Sequence, residues 1–205
     1  MTFLLNQELT PSQTQPQLIL VTGPARSGKS EWAEYLVTEL AAGNAITYVA
    51  TAQLDLTDPD WQARISLHQQ RRPADWRTLA VPVALADTIR AAAGCLLIDS
   101  LGTWLANLLE QDAAAWAETA DDLLLSLSQS AAQIVIVAEE TGWGVVPAYE
   151  TGRSFRDRLG KLTRQIGERA SAVYLVTGGH ALNLSQLGKS LSVLAQVSSH
   201  ADSQA

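Results

Sequence analysis

Residues 18–30 read L-I-L-V-T-G-P-A-R-S-G-K-S. An apolar, β-branched run from Leu18 to Val21 stops at a glycine, Gly28-Lys29-Ser30 follows, and a helical pattern opens at Glu31. This is the G-x-x-x-x-G-K-[ST] phosphate loop in the setting it requires, with a strand before and a helix after. The glycines let the backbone curl until successive N–H groups point at phosphate oxygens. The following helix adds the positive end of its dipole. Lys29 is placed to reach the β- and γ-phosphates of a nucleoside triphosphate, and the Ser30 hydroxyl to ligate Mg2+. Gly23, Pro24, Ala25, Arg26, Ser27, Gly28, Lys29 and Ser30 are therefore candidate nucleotide contacts.

The pattern downstream sets the layers. A helix is expected over 29–42, with Trp32, Leu36, Val37 and Leu40 near helical spacing and a stop at Gly43-Asn44. Ile46 to Ala50 is a second strand, so the three elements form a βαβ unit and call for a parallel sheet. Asp58 as N-cap, then Pro59 and Asp60, predict a helix that runs to Gln70 and stops before Pro73. A short element is expected at 76–79, a helix at 82–93, a buried strand from Cys95 to Ile98 ending in Asp99, and helices at 101–109 and 113–130. Ile134 to Ala138 is another buried strand, ending in Glu139-Glu140. A loop at 141–147 with glycines and a proline precedes an arginine-rich helix at 152–170 and a last strong strand, Ala172 to Thr177. Residues 181–197 carry no decisive pattern. No repeat or second boundary interrupts the chain, which reads as one α/β domain at 18–197 between a flexible leader, 1–17, and a flexible tail, 198–205.

Composition excludes some functions. A net charge of −7 argues against general binding to nucleic acid or an anionic membrane, both of which favour a basic surface. No run approaches the roughly 18–20 apolar residues that span a bilayer. The first residues lack the basic start of a signal peptide, so a cytoplasmic protein without a membrane span is expected. The single cysteine, Cys95, lies in an apolar run and reads as a small buried residue. All six tryptophans, at 32, 61, 76, 104, 116 and 143, read as core rather than as a stacking platform, although Trp143, in the glycine loop, is also placed to contact a ligand.

Three further places carry chemistry. An acid at the end of an apolar strand is where phosphate-loop proteins hold Mg2+, so Asp99 joins Ser30 as a candidate metal ligand. Glu139 and Glu140 end the next strand and point at the same edge, where one of them can orient or deprotonate an acceptor hydroxyl. His68 shares a helix face with Trp61 and Ile65, and Arg64, Arg71 and Arg72 lie within a turn of it. Arginines bind phosphates bidentately, and nearby cations keep an imidazole neutral and nucleophilic. An imidazole beside a triphosphate can attack phosphorus. A solvated basic face accounts for the same residues without chemistry. His180 and His200 have no such surroundings.

Taken together, V-T-G-P-A-R-S-G-K-S at 21–30, Y-V-A-T-A at 48–52, R-I-S-L-H-Q-Q-R-R-P-A-D-W-R-T at 64–78, L-L-I-D-S-L-G-T-W-L-A-N-L-L at 96–109, E-T-G-W-G-V-V-P at 140–147 and R-S-F-R-D-R-L-G at 153–160 resemble, in this order, one family. It is that of the bifunctional adenosylcobinamide kinase / adenosylcobinamide-phosphate guanylyltransferases of cobalamin biosynthesis. The resemblance implies a P-loop NTPase fold of RecA-like type, a mostly parallel central sheet flanked by helices, and a homo-oligomer, a trimer. It implies two reactions. An ATP or GTP γ-phosphoryl goes to the aminopropanol hydroxyl of adenosylcobinamide, and GMP from GTP passes through a histidine to the phosphorylated product, giving adenosylcobinamide-GDP. The histidine of R-I-x-x-H matches His68, which with Lys29 forms the implied catalytic pair. The implied nucleotide contacts are 23–30, Ala50, Thr51, Ala52, Gln69, Gln70, Arg71, Arg72 and Asp99, with Mg2+ and no tightly bound organic cofactor. Departures are local: Leu79-Ala80 stand where many relatives carry an acid, Glu139-Glu140-Thr141-Gly142 where the family often reads N-E-V-G, and Thr163 where an asparagine is usual. Two other functions fit the phosphate loop alone, a single-activity small-molecule kinase and a RecA-like nucleotide-dependent switch.

Overall fold

A computed structural model describes residues 17–53, 66 and 72–191. The leader up to residue 16, the tail beyond 191 and the expected helix at 58–70 lie outside the described residues, except Ser66, which is helical. Seven strands form one sheet: β1 (Leu18–Gly23), β2 (Ile46–Ala50), β3 (Arg77–Ala80), β4 (Cys95–Asp99), β5 (Gln133–Glu139), β6 (Ala172–Thr177) and β7 (His180–Asn183). Their order is β3-β2-β4-β5-β1-β6-β7. All pairings are parallel except β6 with β7. β1, β4 and β5 are buried along almost their whole length, as apolar runs covered on both faces should be.

The helices divide between the two faces. Helix α1 (Lys29–Ala41) packs Ala33, Leu36 and Val37 against one side, with Val21, Tyr48, Leu97, Val137 and Tyr174. Helices α2 (Leu85–Arg90), α3 (Leu101–Ala106), α4 (Ala113–Gln129) and α5 (Glu150–Gly167) cover the other, around Leu20, Ile98, Trp104, Leu123 and Ile136. A one-turn helix, α6 (Leu184–Leu187), follows β7. This is the α/β architecture with a mostly parallel sheet expected from the βαβ pattern.

Two helices are shorter than their patterns predict. The expected helix at 82–93 narrows to α2, and the one at 101–109 ends at Ala106. Trp104 Nε1 donates to the Val83 carbonyl at 2.9 Å, and Asn107 Nδ2 donates to the carbonyls of Pro82 and Thr51 at 2.9 and 2.8 Å. Long-range bonds therefore engage the Pro82 and Val83 carbonyls, which an earlier start of α2 would use, and tight turns of Asn107 and Leu108 onto Trp104 and Leu105 end α3. Trp104 and Trp116 are core as expected, whereas Trp143, also expected in the core, is 64% exposed because it stands in the loop after β5. Cys95 is buried and free.

Candidate active site

The phosphate loop is shaped by contacts that few residues could satisfy. A side chain at Gly23 would lie 2.3 Å from the Val176 carbonyl oxygen and 2.8 Å from Ser27 Oγ, so the loop leaves β1 through a gap that only glycine fits. Gly28, the N-cap of α1, has φ 92°, and Arg26 also sits in the left-handed region at φ 58°. A non-glycine residue there carries a cost of about 1–2 kcal/mol. Ser27 Oγ is buried and finds no hydrogen-bond partner among the described residues. Lys29 bends back across the loop and donates to the Pro24 carbonyl at 3.3 Å. Curled backbone, an unpaired hydroxyl and a cation at a helix N-terminus form a receptor for phosphate oxygens.

Asp99 is tied to the loop although its strand is not adjacent to β1. Strand β5 lies between them. Ser30, on the first turn of α1, reaches over to donate to Asp99 Oδ1 at 3.5 Å. Tyr48 donates to Asp99 Oδ2 at 2.8 Å. Burial, then the Asp99 carboxylate, pushes the Tyr48 phenol far above its ordinary range, so it is a permanent donor. The Arg72 guanidinium carbon lies 3.3 Å from the centroid of the Tyr48 ring, and its Nη1 donates to Thr78 Oγ1 at 3.3 Å. A hydroxyl and a carboxylate facing each other are the oxygen donors Mg2+ takes, with phosphate and water completing its shell. Among the described residues no cluster of three or more His, Cys, Asp or Glu forms a metal cage.

The other expected contacts divide. Ala50 is the register partner of Asp99, so Ala50, Thr51 and Ala52 lie at the site's edge. Thr51 is fully buried, and its hydroxyl both donates to the Ser100 carbonyl at 2.7 Å and accepts from the Ser100 N–H at 2.9 Å. Its side chain therefore fixes the turn after β4. Arg72 is connected to Asp99 through Tyr48. His68, Gln69, Gln70 and Arg71 lie outside the described residues. The two acids that end β5 separate. Glu139 accepts from the Ser100 hydroxyl and from the Gly102 N–H, the latter at 2.9 Å. Glu140 turns into its own loop and accepts from the Gly142 N–H at 2.7 Å. Beside Glu139 opens a cleft of about 450 Å3 between α3 and the start of α5, bordered by Gln53, Gly102, Thr103, Ala106, Asn107, Thr141 and Phe155. Tyr48 and Ser100 lie within the Y-V-A-T-A and L-L-I-D-S segments, but neither segment by itself assigns them a role. The one available signal was a tyrosine inside a buried strand, whose hydroxyl needs a partner.

A parallel sheet with a phosphate loop after β1, and a carboxylate at the end of β4 facing the loop's serine, defines a P-loop nucleotide-binding protein. Residues 19–184 match the family described as CobU: Cobinamide kinase / cobinamide phosphate guanyltransferase, and the chain belongs to that family. It is 43% identical over 164 residues to the Bifunctional adenosylcobalamin biosynthesis protein CobP of Pseudomonas aeruginosa, covering 78% of this chain and 92% of that protein. Proteins named Bifunctional adenosylcobalamin biosynthesis protein CobU from Escherichia coli and Salmonella typhimurium are each 34% identical over 179 residues, covering 79% of this chain and 96% of theirs. Among solved structures, the flagellar accessory protein FlaH from Methanocaldococcus jannaschii is similar at a TM-score of 0.45 and 14% identity, over 82% of this chain and 77% of that one. No helix among the described residues is long and apolar enough to cross a membrane.

Proposed function

We propose that this chain carries out both reactions of its family at one triphosphate site. In the first, the acceptor hydroxyl of adenosylcobinamide forms a bond to the γ-phosphorus of ATP or GTP, and the bond to the β,γ-bridging oxygen breaks to release the nucleoside diphosphate. In the second, a His68 ring nitrogen attacks the α-phosphorus of GTP and pyrophosphate leaves. The phosphate of the first product then displaces the histidine to give adenosylcobinamide-GDP. Residues 23–30 would cradle the phosphates, Lys29 would neutralise charge on the β- and γ-groups, and Ser30 with Asp99 would hold Mg2+, which would supply further charge neutralisation. Gln69, Gln70, Arg71 and Arg72 are proposed to escort the guanine nucleotide, and the resemblance extends the reading to a cytoplasmic homotrimer. The observation that supports it most directly is Ser30 facing Asp99 at 3.5 Å across the phosphate loop, in a chain whose R-I-S-L-H segment supplies the nucleophile.

The test labels GTP at either end. Label at the α-phosphate should become covalently bound to the protein, survive denaturation, be lost in acid as a phosphoramidate, and be absent from His68→Ala. Label at the γ-phosphate should not. Lys29→Ala should abolish both reactions. Active protein that takes no α-label would sink the guanylyltransferase half.

A further inference from the structure

The segment between β5 and α5 displays apolar side chains that the fold does not bury. Trp143 is 64%, Val145 95%, Val146 56% and Tyr149 69% exposed. Apolar groups gathered in this way mark a surface that meets another molecule. The segment is nevertheless fixed at both ends. The Gly142 N–H donates to Glu140 Oε1 at 2.7 Å, and Arg156 Nη2 donates to the Gly142 carbonyl at 3.2 Å. Arg153 Nη1 donates to the carbonyls of Pro147 and Ala148 at 3.3 and 2.6 Å. Pro147 and Tyr149 close over Gly152, where a Cβ would lie 2.9 Å from Pro147 Cβ and 2.6 Å from Tyr149 Cε2. A display held beforehand loses little conformational freedom when a ligand lands on it.

Gly144 is an independent sign. Its φ lies outside the left-handed region, and no described atom comes within 4 Å of where its Cβ would stand. Neither the turn nor the packing of the described residues calls for glycine there, and a bare backbone lets a ligand approach closely. The position of the segment selects the ligand. The Glu140 N–H donates to the Gly23 carbonyl at 2.9 Å, so the segment leaves the sheet beside the first glycine of the phosphate loop. Three residues of chain span at most about 11 Å, which keeps Trp143 near that loop. We infer that residues 143–149 are the platform for the body of the acceptor, its corrin macrocycle, with Trp143 and Val145 as contacts and Gly144 as the point of closest approach; the inference rests on the kinase step proposed above. Of the two molecules in that step the nucleotide is a polyanion, and the acceptor alone carries a broad apolar face. Its hydroxyl ends a side arm, so the body can rest on the segment while the hydroxyl enters the phosphate loop. The indole of Trp143 supplies a flat apolar face for the ring. A contact between copies of this chain matches less well: a standard interface takes about 20–30 residues and roughly 800 Å2 a side, whereas this segment offers four apolar side chains.

The experiment measures adenosylcobinamide binding by equilibrium dialysis in wild type, Trp143→Ser and Gly144→Leu, together with phosphorylation kinetics, melting temperature and sedimentation. Gly144→Leu adds a side chain in open space and should melt with the wild type. Both variants should bind the corrinoid about tenfold or more weakly, the scale of a lost aromatic anchor, and raise its KM with little change in kcat, the pattern of lost uniform binding. Their sedimentation should match wild type. Corrinoid binding at the wild-type level in either variant overturns the assignment. So does weaker binding that comes with a changed sedimentation coefficient, which would put the segment between copies of the chain. Dialysis needs no turnover, so the two readings fail separately. Wild type that binds no corrinoid refutes the platform, whereas wild type that binds it through this segment and never phosphorylates it refutes the kinase step and keeps the platform.

Discussion

Asp99 is held by a chain of side chains that runs well beyond the phosphate loop. Arg72 covers the Tyr48 ring, the Tyr48 hydroxyl donates to one Asp99 oxygen, and Ser30 donates to the other. Each partner helps to fix how the carboxylate is presented beside the loop, on which the metal role proposed for it depends. A hydrogen bond to a charged group contributes about 1.5–3 kcal/mol, roughly tenfold or more in an equilibrium constant. Tyr48→Phe retains the ring beneath Arg72 and removes only the donor. It should weaken Mn2+ binding to the protein–GTP-analogue complex roughly tenfold, read by electron paramagnetic resonance, with the thermal transition changing by much less than a core truncation would cause. Unchanged Mn2+ affinity would show that Asp99 is oriented without the phenol.

At the scale of elements, local caps mark some helix starts, while distant contacts set where others begin. Asp112 accepts from the Ala114 and Ala115 N–H groups at 3.0 and 2.9 Å and caps α4. Asp112→Ala should cost about 1 kcal/mol, whereas Trp104→Ala, which empties a fully buried site against Trp116, should cost about 3–5 kcal/mol. Urea titrations of the two variants check the ranking. The same contrast explains what was legible in the sequence. β1, β2, β4, β5 and β6 were readable to within a residue because buried parallel strands are continuous apolar runs bounded by turn residues. β7 and α6 were not: His180–Asn183 alternates exposed and half-buried positions in a four-residue edge strand, and its pairing depends on β6 alone. In the site, the loop, Asp99 and the acids ending β5 stood out by type and position. What separates Glu139 from Glu140 is the turn after β4, built by Thr51, Ser100 and Gly102, and no spacing rule reaches across those strands.

At the scale of the whole molecule, the described residues form two apolar layers that differ in chemistry. The layer under α2–α5 is almost entirely hydrocarbon and tryptophan. The layer under α1 contains Tyr48, Cys95 and Tyr174 together. Burial raises all three above their ordinary values, 10.0 for the phenols and 9.0 for the thiol, and for Tyr48 the Asp99 carboxylate adds to it. Unfolding releases them to ordinary water. Below about pH 9 both states hold these protons and the groups contribute no pH dependence. Above the ordinary values the unfolded chain has lost protons that the folded chain retains, so stability falls as pH rises. The melting temperature should decline from about pH 9 and more steeply above pH 10, the ordinary range of thiols and phenols. Replacing Tyr174 by Phe removes one of these protons without touching Asp99, and should make the decline between pH 10 and 11 shallower. A wild-type melting temperature that stays level through pH 11 would mean that the α1 layer opens to solvent before the molecule unfolds, and that its core is less tightly closed than these buried hydroxyl and thiol groups require.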